Sequence, residues 1–150
     1  MESRNKVWKE ERTRVLIEGS SSVAQEIAVE IEAAYDVEVL DEPHEELVMV
    51  KVRESARNSV FYLGEALICS CRVRLARTMG FGFVLGNKRN AAYNLALIDA
   101  AFSCGLEHER KATWEQMIER EAKRLAEKQH KEHALVERTR VEFATMGGDA

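Results

Sequence analysis

A chain of 150 residues with 45% apolar and 32% charged side chains has the composition of one folded domain with its own core, not of a disordered segment. Its net charge of −4 argues against a general nucleic-acid binder, which needs cations to neutralise phosphates. No apolar run approaches the ~18 residues of a membrane helix, and the opening MESRNKVWKEER offers no apolar stretch for a secretory signal; the expected setting is cytoplasmic, without a membrane partner.

Residues 2–18 carry Val7, Trp8, Val15, Leu16 and Ile17 among mixed charges at helical spacing, and Gly19 falls where a C-terminal cap would stand. Ser20 to Ser22 offer N-caps for a second helix, with Val23, Ile27 and Ile31 at i, i+4 and i+8 and Glu26, Glu30 and Glu32 on its other faces. The period then changes to two. Val37 and Val39 form one short run, a turn is expected around Asp41, Glu42 and Pro43, and Leu47 to Val52 form a second run. Across residues 60–76, Leu67, Cys69, Cys71, Val73 and Leu75 would line the core face, with Ser70, Arg72 and Arg74 on the other. Thr78-Met79-Gly80 reads as the link of a hairpin, after which Phe81, Phe83 and Leu85 alternate with Gly82, Val84 and Gly86.

Asn87 is the expected N-cap of a largely buried helix over 88–104, rich in Ala and Leu and stopped by Gly105. From Glu107 a long charged helix follows, with Trp114, Ile118, Ala122 and Leu125 as its apolar stripe and almost nothing apolar over 127–133. The tail, 141–150, turns apolar again at Val141, Phe143 and Met146, which suits a docking segment. The order predicts an α+β fold: an antiparallel sheet of three to four strands, flanked by N-terminal helices, a buried helix and a long C-terminal helix.

Charge is unevenly placed. Residues 19–54 sum to −8 and residues 55–104 to +4, so any anionic ligand is to be sought at the basic centre. There the strand-to-helix joint VLGNKRN sets Asn87, Lys88 and Arg89 at a helix start, where backbone N–H groups and the helix dipole favour an anion. Arg72 and Arg74 on a neighbouring strand could add bidentate contacts. Solvated or interface arginines are the preferred reading and an anion site the alternative, because the spacing lacks the full phosphate-loop and dinucleotide patterns.

Other candidates are weaker. His130 and His133, with Glu127 and Glu137, have metal-ligand spacing on a helix but no apolar shell, so a solvated face is expected and no metal is assigned. Cys69, Cys71 and Cys104 lack a CxxC pair and read as reduced packing residues. Asp99, in an otherwise apolar helix, reads as either a buried acid or a rim residue capping a neighbouring loop, the latter preferred, and His44 reads as a turn residue. No nucleophile–base–acid arrangement is recognisable, and no catalytic residue is assigned.

Four segments together resemble a known family: EPHEELVMVKVR at 42–53, FYLGEALICSCRVRL at 61–75, GFGFVLGNKRNAAYNLALIDA at 80–100 and RVEFATMGGD at 140–149. In order and spacing they are similar to the PhnG component of the bacterial carbon–phosphorus lyase system for phosphonate use. The resemblance implies a small accessory subunit in a core complex with the companion proteins PhnH, PhnI and PhnJ. With PhnH, PhnI and the nucleotide-binding PhnL, it is associated with attack of methylphosphonate on the ribose of ATP, which releases adenine and forms α-D-ribose 1-methylphosphonate 5-triphosphate. ATP is then a substrate of the complex, no cofactor is bound by this chain, and the anion at the basic centre would be the nucleotide or the phosphonate. Where the family usually has glycine this chain has Glu46, and in place of a glycine-rich loop it has ESARNSV, which is expected to deny that loop backbone of positive φ. Where the family commonly shows Asp, His and Glu, it has Lys88, Ala91 and Tyr93. The alternative reading is a stand-alone homo-oligomeric module that binds a small anion without chemistry.

Overall fold

The computed structural model describes the backbone of residues 2–105 and 108–139, and side chains over 8–105 and 109–139. The elements run α1 (Glu2–Glu18), α2 (Ser21–Ala34), β1 (Val37–Arg53), β2 (Val60–Leu75), β3 (Thr78–Leu85), α3 (Arg89–Ser103) and α4 (His108–Arg138). The three strands form one antiparallel sheet in the order β1-β2-β3, so β1 and β3 are both edges. The arrangement is α+β, with the expected N-terminal helices, buried helix and long C-terminal helix.

One face of the sheet carries the core. Cys69, Cys71, Val73 and Leu75 of β2 pack with Ala92, Ala96, Leu97 and Ala100 of α3, and with Val15, Ile27, Ile31, Trp114 and Ile118 from the other helices. Leu67, expected on this core face, is 42% exposed. Its pair Leu47 is exposed as well, because both lie on the hairpin beyond β3, whose last partner on β2 is Ile68.

β3 shows how closely helix and sheet fit. Its buried residues are Gly80, Gly82 and Val84, while Met79, Phe81, Phe83 and Leu85 face away. A Cβ on Gly82 would overlap the Ala92 carbonyl, and one on Gly80 the Ala96 carbonyl. A four-residue helix step rises about 6 Å and a two-residue strand step about 6.8 Å. The alanine stripe of α3 therefore stays over the glycine stripe of β3.

Two sequence expectations about turns need correcting. No turn divides β1 at Asp41–Pro43; the strand continues with register shifts between Val39 and His44. Pro43 has no N–H to donate, which an edge strand with a bulge tolerates. The β2–β3 hairpin turns at Ala76-Arg77, since Leu75 pairs with Thr78, and residues 78–80 already belong to β3. Ala76 takes φ 53° there. The ESARNSV loop does reach the left-handed region, at Asn58 with φ 55°. Asparagine tolerates that conformation, and Arg53 Nη1 donates to the Asn58 side-chain oxygen at 3.0 Å.

The helices are tied by polar contacts between distant segments. Ser20 caps α2, its hydroxyl accepting from the Ser22 N–H. Glu121 of α4 accepts from the Ser20 N–H at 2.6 Å and from Arg124; these bonds, Arg124's first, hold its carboxyl below the ordinary range. Trp114 Nε1–H donates to Glu30 at 2.6 Å. After Leu125 every described residue of α4 is exposed, so the helix projects about 20 Å past its last buried side chain.

Candidate functional site

The five predicted anion-binding residues divide into two groups. Arg72 and Arg74 alternate with buried Cys71, Val73 and Leu75, so they lie on the sheet face that none of the described helices covers. Asn87, Lys88 and Arg89 stand at the start of α3, which packs on the opposite face. The sheet lies between the groups.

Acids of β1 meet three of these cations. Arg72 Nη2 is 2.7 Å from Asp41 Oδ2, Arg74 pairs with Glu38, and Arg89 Nη2 is 3.5 Å from Glu45 Oε1. All are partly exposed, so each pair contributes little to stability. Their effect is electrostatic: the +4 segment is largely neutralised by the −8 segment that folds beside it. Sequence reasoning placed these acids in the adjoining segment without pairing them. The antiparallel match of an acid-rich strand to an arginine-bearing one was the available signal.

Lys88 is the exception, with no ion pair among the described residues. It is the N-cap of α3, in place of the expected Asn87, and supplies no side-chain cap bond. Lys88 and Asn90 line a cleft of about 550 Å³ with Ser21 and Ser22 of α2, so the N-terminal ends of two helices share it. Asn94, also in the wall, donates to Gln25 Oε1 at 3.1 Å. Of the positions that differ from the family pattern, Tyr93 donates its O–H to Glu32 at 2.6 Å, and burial, then that carboxylate, pushes the phenol well above its ordinary range. Ala91 is half-buried in the same cleft, and Glu46 is exposed on β1.

The uncovered sheet face is apolar along β3, where Met79, Phe81, Phe83 and Leu85 are each at least 42% exposed and the two phenylalanine rings stack at 6.5 Å. Beside them, His44 Nδ1 bonds the Glu42 carbonyl at 2.9 Å and Nε2 lies 3.5 Å from the Ser70 hydroxyl. Among the described residues no carboxylate bonds this imidazole, and the nearby Asp41 is engaged by Arg72. The Cys71 thiol is pushed up to about 11, chiefly by burial, and is no nucleophile.

Among the described residues no cluster of His, Cys, Asp and Glu fits a metal, and His130 and His133 stand on the exposed part of α4. No described helix is long and apolar enough to cross a membrane. Asp99 does not cap a loop: it accepts from the Phe81 N–H on β3 and faces Lys9 and Arg12 of α1. The expected docking residues Val141, Phe143 and Met146 lie outside the described residues.

A family model described as "Phosphonate metabolism protein PhnG" matches residues 8–148. No curated protein matches the chain at a significant level.

Proposed function

The chain belongs to the PhnG family of phosphonate metabolism proteins, and on that premise we propose that it is an accessory, non-catalytic subunit of the carbon–phosphorus lyase core complex. In this reading it scaffolds the companion proteins PhnH, PhnI and PhnJ while they, with the nucleotide-binding PhnL, convert ATP and methylphosphonate to α-D-ribose 1-methylphosphonate 5-triphosphate and adenine. ATP is the complex's substrate, and no resident cofactor is assigned to this chain. The setting proposed is the cytoplasm.

The observation that carries the reading is the uncovered row Met79, Phe81, Phe83 and Leu85. Side chains of this size on one strand face are what a permanent subunit buries. Arg72 and Arg74, flanking the row and already paired, belong to the polar rim of that contact. The tail at 141–150 supplies a second contact through Val141, Phe143 and Met146.

Replacing Phe81 and Phe83 together with serine should leave the chain folded, because both point away from the core. It should abolish co-purification with PhnH, PhnI and PhnJ on co-expression. Recovery of the intact complex at wild-type yield would remove the basis for the reading.

Anion contact by this chain is proposed at Lys88, with Asn87 and Arg89 beside it. An ammonium that lines a cleft and has no ion pair among the described residues favours it over the neutralised arginines. Lys88→Glu should raise the KM for ATP in the assembled complex roughly tenfold, the size of one lost charged contact, with subunit stoichiometry unchanged. An unaltered KM would leave the cleft without a role in substrate binding.

A further inference from the structure

We infer that the chain pairs with a second copy of itself through the outer edge of β1 over His44–Val52, the two strands running antiparallel about a two-fold axis at Val48. This goes beyond the accessory-subunit reading and does not rest on it.

The first observation is an unguarded edge. Proteins protect edge strands with bulges, proline or a covering element. β1 has such protection only at its base, where the register shifts between Val39 and His44 and where Pro43 stands; the charges beyond it, Glu45, Glu46 and Lys51, deter a like-charged neighbour but not a strand that opposes them in sign. From His44 to Arg53 it runs without an extra residue of its own. The single irregularity there, between Val50 and Lys51, adds a residue to β2, since Gly64 pairs with Val50 and Tyr62 with Lys51. β2 occupies the inner edge of β1, and no backbone bond to its outer edge occurs over 44–52 among the described residues.

A second observation is the state of the arm itself. Beyond Ile68 the β1–β2 hairpin has no third strand among the described residues, and a two-stranded hairpin is marginal in water. This one also exposes Leu47, Met49, Phe61, Tyr62, Leu63 and Leu67. Two more strands would supply the sheet it lacks.

Charge selects the occupant. The base of the segment is acidic, with Glu42, Glu45 and Glu46, and its end is basic, with Lys51 and Arg53. A parallel neighbour would set like charges together. An antiparallel second copy sets each basic end on the other's acidic base. Strand geometry narrows the register, because N–H groups point outward only at alternate residues and paired positions must sum to an even number. Centring on Val48 places Glu45 opposite Lys51 and Leu47 opposite Met49, each twice by symmetry. Glu45 and Leu47 share a face with Cys69 and Leu67 across β2, so an apolar row Leu67–Leu47–Met49 would cross from one copy to the next. Among the described residues Glu45 has only the 3.5 Å contact to Arg89, and Lys51 lies over the Tyr62 ring at 5.2 Å. Both are available to a partner.

The test uses the full chain alone in sedimentation experiments, so its failure is separate from failure to join other subunits. Wild type should be dimeric at micromolar concentration. Glu45→Lys and Lys51→Glu should each weaken the dimer roughly tenfold or more, since each turns two attractive cross-strand pairs repulsive. The combined Glu45→Lys/Lys51→Glu chain should recover wild-type association. Val48→Cys should form a disulfide-linked dimer on oxidation, because directly opposed Cα atoms fall within disulfide range. Val52→Cys should not. A monomeric chain, edge capture only by another protein, or a dimer whose charge swap gives no recovery would each overturn the inference.

Discussion

A Gly82→Val variant is expected to melt roughly 10 °C below the wild type, a loss of about 3 kcal/mol or more. The intrinsic tendency runs the other way: glycine inside a strand is a poor choice, and a β-branched residue should favour the strand by about 0.5–1 kcal/mol. Contact geometry decides the sign. The atom that a Gly82 Cβ would strike is the Ala92 carbonyl, with the Ala92 carbon and the Ala96 nitrogen behind it. These are backbone atoms of a fully buried helical turn, so no side chain can rotate away. Relief requires lifting α3 from the sheet, which would open contacts from Ala92 to Ala100. Gly105→Ala is the control, because nothing lies within 4 Å of its added Cβ, and it should stay within about 0.5 kcal/mol of wild type. Thermal melts of both, followed by circular dichroism, make the comparison; a Gly82→Val chain as stable as wild type would mean that α3 is not held this closely.

That contact marks the limit of what one sequence discloses. The alternation in 81–86 is legible, and so is the apolar content of α3, whose buried residues include all of Ala92, Leu95, Ala96, Leu97, Ile98, Ala100, Ala101 and Phe102. Which set of β3 faces the helix is not legible in either element alone. It follows from pairing a glycine stripe with an alanine stripe ten or more residues away. The parity of β2 is equally plain up to Cys69, while Leu67 is misplaced because periodicity does not reveal where a covering strand and helix stop. Pro43 misleads for a related reason. It argues for a turn only if the strand is not an edge, and edge status is a property of the sheet.

The candidate site was partly legible for the same kind of reason. The strand-to-helix joint at Gly86–Arg89 is where the sequence puts it, but counting cations overstated its field. Net charge by segment treats each stretch as isolated, whereas the hairpin brings Glu38 and Asp41 against Arg74 and Arg72. What remains among the described residues is a lysine without an ion pair at a cleft, an apolar strand face and an exposed arm. Such surfaces suit assembly more than catalysis, and the stability of the body that presents them depends on few polar contacts.

Asp99→Ala is expected to cost about 3–5 kcal/mol, the penalty for leaving one member of a buried pair without its partner. Asp99 holds three elements together: it accepts from the Phe81 N–H of β3 at 3.2 Å, lies 3.4 Å from Arg12 Nη2 and 2.8 Å from Lys9 Nζ. Lys9 is half exposed, so water replaces its partner at little cost. Arg12 has no such recourse. Its side chain is 6% exposed and its guanidinium sits 4.4 Å above the Phe102 ring. Burial pulls its pKa below the ordinary arginine range, against which the Asp99 carboxylate pulls it back up. Removing that carboxylate leaves the buried cation only the weaker attraction of Glu115 among the described residues and leaves the Phe81 N–H without its acceptor. The Arg12→Met/Asp99→Asn double variant keeps an acceptor for that N–H and removes the stranded charge, so it should recover most of the loss. Urea unfolding gives the energies, and amide hydrogen exchange locates the damage. Protection should fall first along α1, whose Arg12 is its charged anchor, while β2 and α3 keep theirs. Equal urea midpoints for Asp99→Ala and wild type, or a double variant no better than the single one, would show that α1 is held by apolar contacts such as those of Trp8, Val15 and Leu16.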